Sequence, residues 1–328
     1  RRQRQMCIRD SGASGNGGLG VYQTLVDAFA MKDGSLPITG YDGNYGKPII
    51  NKESGYTERG FSAQKDIRKT KYNLYRNCPG ATVDSVGADG CTYNQVAASG
   101  TYNMYVGREP RFYVSIVYGG MSWFIPKKAS EKIYLEMYKN GNNGPDASHN
   151  HFTTGYNMVK LAMPEYEASP TKNVKRELPY IRYAEILLNY VEATIELGEL
   201  KDPNLLTYWN AVRNRAGLKN IEEAYPEAMN DQDKLRDLIH RERRVEFAFE
   251  GINFYDSRRW LTAEETEKGD IHGMNIQAKG TPGKEEYPED FFQRTVIEKR
   301  VFTPSFYLFP IPQSAINKNQ DLVQNYKW

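Results

Sequence analysis

Five tyrosines, Tyr72, Tyr75, Tyr93, Tyr102 and Tyr105, fall within residues 71–105, and three of them precede an asparagine, as Tyr72-Asn73, Tyr93-Asn94 and Tyr102-Asn103. A sugar ring offers an apolar face of C–H groups and a rim of hydroxyls. A tyrosine ring covers the face, and a side-chain amide both donates to and accepts from hydroxyls. The same pairing suits peptide backbone. Tyr and Asn are also ordinary loop residues that pack locally and make turns, so the sequence supports a binding reading and a packing reading alike. Trp123, close behind Gly119-Gly120, offers a further platform, whereas Trp209 and Trp260 lie on or beside apolar helix faces and read as core.

A second pattern has the residue types of acid–base chemistry. Glu242, Glu246 and Glu250 stand at i, i+4 and i+8, one stripe of a helix, among Arg241, Arg243, Arg244, Arg258 and Arg259. Paired carboxylates serve glycoside hydrolases as acid and base. Arginines nearby depress carboxylate pKa values and deny them the raised value a general acid needs, so the stripe reads first as a structural ion-pair network. A di-iron site fails for want of a Glu-x-x-His pair. His149 and His151 lack an accompanying carboxylate or Cys cluster and read as a solvated loop. Gly15-Asn16-Gly17-Gly18-Leu19-Gly20 satisfies G-x-G-x-x-G, but no strand precedes it, and a dinucleotide site needs one. Cys78 and Cys91 lie thirteen positions apart in one Gly-rich stretch. They read as two free thiols or as a disulfide, which would contribute roughly 2–3 kcal/mol and point to an oxidising compartment; with no His nearby they do not make a zinc site.

These candidates need a frame. Residues 21–31 read as a short helix ended by Asp33-Gly34, and 34–110 as long loops with short strands. Residues 111–118, β-branched and aromatic, read as one buried strand; 130–150 drift into a Gly/Asn-rich loop. From 179 the character changes. Ile181, Ala184, Leu187, Leu188, Val191 and Ile195 recur at helical spacing up to Gly198. Pro203 opens a second helix, with Leu205, Leu206, Trp209, Val212 and Ala216 before Gly217. A third runs from about Asp233, with Leu235, Leu238, Ile239, Val245 and Phe249, to Gly251. Short connections make these antiparallel helix pairs. The tail from 300 is too rich in proline to be one helix.

Composition bounds the rest. The chain has 328 residues, 39% hydrophobic and 26% charged, enough to bury a sizeable core. No apolar run approaches the ~18 residues that cross a bilayer. The formal charge of +2 owes much to residues 1–11, which hold four Arg against one Asp and read as a translated artefact foreign to the fold. Without them the chain is near neutral, and no basic field argues for nucleic acid. Lacking an initiator Met, the chain is expected to start inside a longer protein.

Several motifs then agree. Pro110-Arg111-Phe112-Tyr113 with Tyr118-Gly119, the run from Tyr180 to Tyr190 with Glu192-Ala193, Val212 to Leu218, Arg241 to Phe247 with Phe249-Glu250-Gly251, Asp256 and Arg259-Trp260, then Leu308-Phe309-Pro310-Ile311-Pro312 and Gln324-Asn325, together resemble the SusD/RagB family in its own order. Val26-Asp27-Ala28-Phe29 and Met31-Lys32-Asp33-Gly34 resemble its mid-chain helix, although Val21-Tyr22 stands where Pro-Thr is usual. The resemblance implies a mainly α, SusD-like fold, with tetratricopeptide-like helix pairs and a loop-rich region carrying short strands. It implies a ligand-facing region over 12–178, a helical scaffold over 179–260 and an irregular C-terminal segment over 261–328. It implies a surface lipoprotein of the Bacteroidetes outer membrane that binds a nutrient glycan, or in some members a peptide, and serves a SusC-like TonB-dependent transporter, without catalysis and without a cofactor. The lipidated Cys and first helix pairs would then lie outside this sequence, and some scaffold helices would meet their partners there. The family motifs are scaffold, so the candidate ligand contacts (Tyr72, Asn73, Tyr75, Tyr93, Asn94, Tyr102, Asn103, Tyr105 and Trp123) rest on the Tyr-Asn argument alone.

Overall fold

The structure, a computed structural model, describes residues 20–70, 82–89, 91–125, 128–147, 151–160 and 179–328. The opening arginines, the G-x-G-x-x-G run except its last glycine, Tyr72, Asn73, Tyr75, Cys78 and His149 lie outside the described residues.

The helical part forms where periodicity and capping agree. The first helices of the described residues are α1 (Gln23–Ala28) and the short α2 (Pro110–Tyr113), and the scaffold proper follows as α3 (Tyr183–Glu196), α4 (Pro203–Arg215), α5 (Ile221–Ala224) and α6 (Gln232–Glu246). Asp202 caps α4 by accepting from the Asn204 N–H, with Pro203 in the first turn, and Asp231 caps α6 by accepting from the Asp233 and Lys234 N–H groups. Gly198, at φ 74°, turns the chain out of α3, a left-handed conformation that a side chain would oppose. Leu188, Val191 and Ile195 from α3, Leu205, Trp209 and Val212 from α4, and Leu235 and Ile239 from α6 close one apolar core. The third helix ends at Glu246, sooner than expected, because the chain enters the left-handed region at Phe249 (φ 66°) and Gly251 (φ 84°) before α7 (Ile252–Arg259).

The remaining described residues build a second core from small antiparallel sheets. β1 (Ile38–Tyr41) pairs with β2 (Pro48–Ile50). β3 (Asp66–Thr70), β4 (Thr82–Val86) and β5 (Thr92–Ala97) form one sheet in the order β3-β5-β4. β6 (Ile116–Tyr118) pairs with β9 (Tyr156–Met158), and β7 (Ser122–Ile125) with β8 (Lys128–Tyr134). The stretch expected as one strand over 111–118 is instead α2 followed by β6. Pro110, with its fixed φ and missing N–H, suits a first helical turn, and the strand starts only at Ile116; Phe112, Tyr113, Ile116, Val117 and Tyr118 are nevertheless all buried.

The C-terminal segment is less irregular than expected. After the short α8 (Ala263–Thr266), β10 (Gly269–Met274) pairs with β11 (Arg294–Arg300) from Gly269↔Arg300 to Met274↔Arg294, and only then comes α9 (Gln313–Lys318). The connection between these strands delivers Tyr287, Phe291 and Phe292 into the second core. Arg294 fastens the strand to α1 by donating from both terminal nitrogens to the Asp27 carboxylate, at 2.7 and 2.8 Å. The two cores meet along α6, where Val245 faces one while Leu235, Ile239 and the following Phe247 face the other.

Candidate ligand face

Tyr105 is 0% exposed and donates its hydroxyl to that of Tyr156 at 3.1 Å, which in turn donates to the Gln23 amide oxygen at 2.7 Å. Tyr102, 5% exposed, lies flat on Phe292 with ring centroids 3.7 Å apart and donates to the Glu58 carbonyl at 2.6 Å. Trp123 is 3% exposed within the same core. Asn94, 1% exposed, donates to the hydroxyls of Thr92 and Thr70 at 3.2 and 3.3 Å. Side chains so enclosed present no face to a ligand from solution, so Tyr102, Tyr105, Trp123 and Asn94 are corrected from ligand contacts to core. The cause is compositional. A region poor in helix still needs a core, and its large apolar bodies are tyrosines whose hydroxyls find partners inside. Asn103 is half-buried and uses its amide to donate to the Arg59 carbonyl at 2.8 Å.

Tyr93 is placed differently. It sits on β5 between Lys69 of β3 and Ser85 of β4. Strand alternation turns Asn94 and Val96 inward, and Tyr93 and Gln95, both half-buried, to the opposite face. That outer face also carries Ile67, 42% exposed, and Lys69, whose ammonium lies 5.6 Å from the centre of the Tyr93 ring. Lys69 pairs with Asp89 at 2.7 Å, and this contact holds the Asp89 carboxyl down at about 2. Asp89 also accepts from the backbone N–H of Cys91 at 3.1 Å, ordering the turn between β4 and β5. The segment 71–81, with Tyr72, Asn73 and Tyr75, joins β3 to β4. Because Cys78 is in that segment, the choice between free thiols and a disulfide with Cys91 lies outside the described residues. The outer face thus combines an aromatic ring, an amide, an ammonium and a carboxylate that stays ionised: groups that stack and hydrogen-bond, with no proton poised for transfer near neutral pH.

The glutamate stripe is enclosed in arginine. Glu242 accepts from Arg111 at 2.6 Å and from Arg213 at 2.7 Å; burial pushes its carboxyl up, but the two guanidinium groups outweigh burial and hold it at about 2. Glu246 accepts from Arg182 at 3.0 Å and Arg215 at 2.6 Å. Glu250 takes both prongs of Arg182, each at 2.8 Å, and Lys160 at 2.6 Å. This is the structural network the spacing suggested, built from other arginines than its sequence neighbours. Adjacent residues on a helix point to different faces. Arg243 accordingly pairs with Asp256 and Glu192, and Arg259 with the same two.

A cleft of about 160 Å³ opens beside the first turn of α3, lined by Tyr180, Arg182, Glu250 and Tyr255 among others. Its Arg182 and Glu250 are bound to each other, as Lys69 and Asp89 are on the sheet, and its rim also carries Glu185 and the exposed rings of Tyr180 and Tyr255. Among the described residues no three His, Cys, Asp or Glu side chains gather as a metal set, and no helix is long and apolar enough to cross a membrane.

The family model for the SusD family matches residues 1–328. The SusD-like protein P2 of Formosa agariphila is 30% identical over 148 residues, which cover 44% of this chain and 24% of that protein. Among solved structures, a SusD-like protein from Bacteroides fragilis matches with a TM-score of 0.64 at 28% identity, over 96% of this chain and 48% of the other. A SusD-like carbohydrate-binding protein from the same organism matches with a TM-score of 0.53 at 25% identity, over 90% and 46% respectively. The chain therefore spans about half the length of these solved relatives.

Proposed function

We propose that this chain, which belongs to the SusD family, binds a nutrient glycan without catalysis, at the outer face of the β3-β5-β4 sheet. Tyr93 stacks on a sugar ring, while Gln95, Lys69 and Asp89 hydrogen-bond its hydroxyls; Tyr72, Asn73 and Tyr75 stay candidate contacts on the ground of their residue types alone. The observation that carries this reading is the alternation of β5, which sends Asn94 to the core and Tyr93 to the opposite face. Stacking on a half-open ring gives modest affinity, which suits capture and release to a SusC-like transporter in the outer membrane. On this reading the protein is held at the cell surface by a lipid on a preceding segment. The exposed Tyr180, Ile181 and Tyr183 at the start of α3 are left to the part of the fold that the longer relatives add.

The absence of turnover is supported by the enclosure of Glu242, Glu246 and Glu250 in guanidinium groups. A glycan array set against a peptide library tests the ligand class. Glycan signal with intact oligosaccharide recovered after incubation is the expected result. Peptide signal alone would move the reading to a peptide-binding member of the family, and shortened oligosaccharide would overturn the non-catalytic assignment.

A further inference from the structure

The seam between the two cores holds an arginine with no ion-pair partner among the described residues. Arg241, on α6, forms no ion pair among the described residues, and its buried Nη1 has no hydrogen-bond partner. Arg241 is half-buried; an arginine cannot shed its proton to relieve the unmet Nη1, and a buried donor left without an acceptor is costly. Arg213, on α4, is 4% exposed. It donates from Nε to the Lys219 carbonyl at 2.8 Å and from Nη1 to Glu242 at 2.7 Å, while its buried Nη2 is left without a partner. Both arginines line one cavity of about 20 Å³, together with Glu109, Arg111, Glu242 and Tyr225. Arg108 makes a useful contrast. It is wholly buried, and although its Nε has no partner, its terminal nitrogens donate to the carbonyls of Met104, Val26 and Phe29 and it lies over the rings of Tyr56 and Phe112. Among the described residues Arg241 has no such set of acceptors.

We propose that this cavity is a binding site for one monatomic anion, a halide, held between Arg213 Nη2 and Arg241 Nη1. The charged groups lining it are three guanidinium groups and two carboxylates, so one monovalent anion brings the set to neutrality. A water molecule would satisfy the free N–H groups but leave the positive charge. The volume accepts a particle about the size of one water, which excludes phosphate, sulfate and carboxylate ligands. The lining comes from α1, α2, α4, α5, α6 and residues beside them, so the ion ties the loop-rich part to the scaffold.

The test is diffraction from crystals of the intact chain grown in sodium bromide, paired with thermal unfolding in sodium chloride and in sodium gluconate at equal ionic strength. The expected result is an anomalous bromide peak between Arg213 and Arg241. The unfolding midpoint should be higher in chloride, saturably and by about 2 °C or more, and this difference should vanish in Arg241→Met. If that variant does not fold, the bromide map decides alone. A cavity without anomalous signal, a midpoint equal in the two salts, or a difference that persists in Arg241→Met would each overturn the site.

Discussion

The helical scaffold and the loop-rich part bury opposite kinds of residue in the roles that sequence reasoning tends to reserve for function. The scaffold buries carboxylates, Glu242 and Glu246, and neutralises them with arginines brought from other elements. The loop-rich part buries tyrosines, Tyr105, Tyr113, Tyr118 and Tyr156, and satisfies their hydroxyls or packs their rings edge to face. In each region the residues with the most suggestive chemistry hold the structure together. The proposed ligand face is assembled from what the strand pleat turns the other way. Residue type alone therefore says little here; the direction of the side chain relative to its sheet or helix carries the information.

The sharpest way to break this comparison is to remove one buried member from each region. Tyr105→Ala should lower unfolding free energy by about 3–5 kcal/mol, the usual cost of truncating a large enclosed aromatic; a loss below 1 kcal/mol in urea unfolding would mean the ring is not core. Glu242→Gln should cost about 3–5 kcal/mol, because Arg111 and Arg213 keep their charges and lose their counter-ion. The pH dependence has a definite sign. The Glu242 carboxyl is depressed in the folded state, to about 2, against about 4.3 in an unfolded chain. Its contribution is fully present above the unfolded value and is lost as pH falls from there through about 2. Urea midpoints measured from pH 6 to pH 2.5 should fall less steeply in Glu242→Gln than in the unaltered chain, and parallel curves would contradict the assignment.

The outer face should behave in the reverse manner. Tyr93→Ala should weaken glycan binding by about 1–3 kcal/mol, roughly 5-fold to 150-fold, with the unfolding midpoint nearly kept. Smallest of all, Lys69→Gln should leave the midpoint unchanged, since an exposed pair with Asp89 contributes little to stability, and should reduce affinity only a few-fold. A Lys69→Gln chain that unfolds readily would show that the sheet depends on this pair and is no free platform.

How much of this was legible in the sequence follows from the range of the forces involved. The three long helices were, because Leu188, Val191 and Ile195 repeat at a local spacing and Pro203 and Gly198 mark ends by backbone geometry. The character of the glutamate stripe was legible, but not its partners: Arg111 and Glu242 are 131 positions apart and meet only when the two cores close. The fate of the tyrosines was not legible, since Tyr93 and Tyr102 have the same neighbour, an asparagine, and differ only in what the fold packs beside them. The alternation of Tyr93, Asn94, Gln95 and Val96 was the available signal, as a period of two separates an inner from an outer set. The β10–β11 pair escaped notice because nineteen residues rich in Gly, Pro and Glu separate its strands, a length that gives no hairpin signature.

The most direct test is calorimetric titration of the unaltered chain and of Tyr93→Ala with the oligosaccharide that gives the strongest array signal. The account predicts that the dissociation constant rises at least fivefold in Tyr93→Ala while the unfolding midpoint stays within about 1 °C. An unchanged dissociation constant in a folded Tyr93→Ala chain would place the ligand elsewhere and contradict the assignment of the outer sheet face.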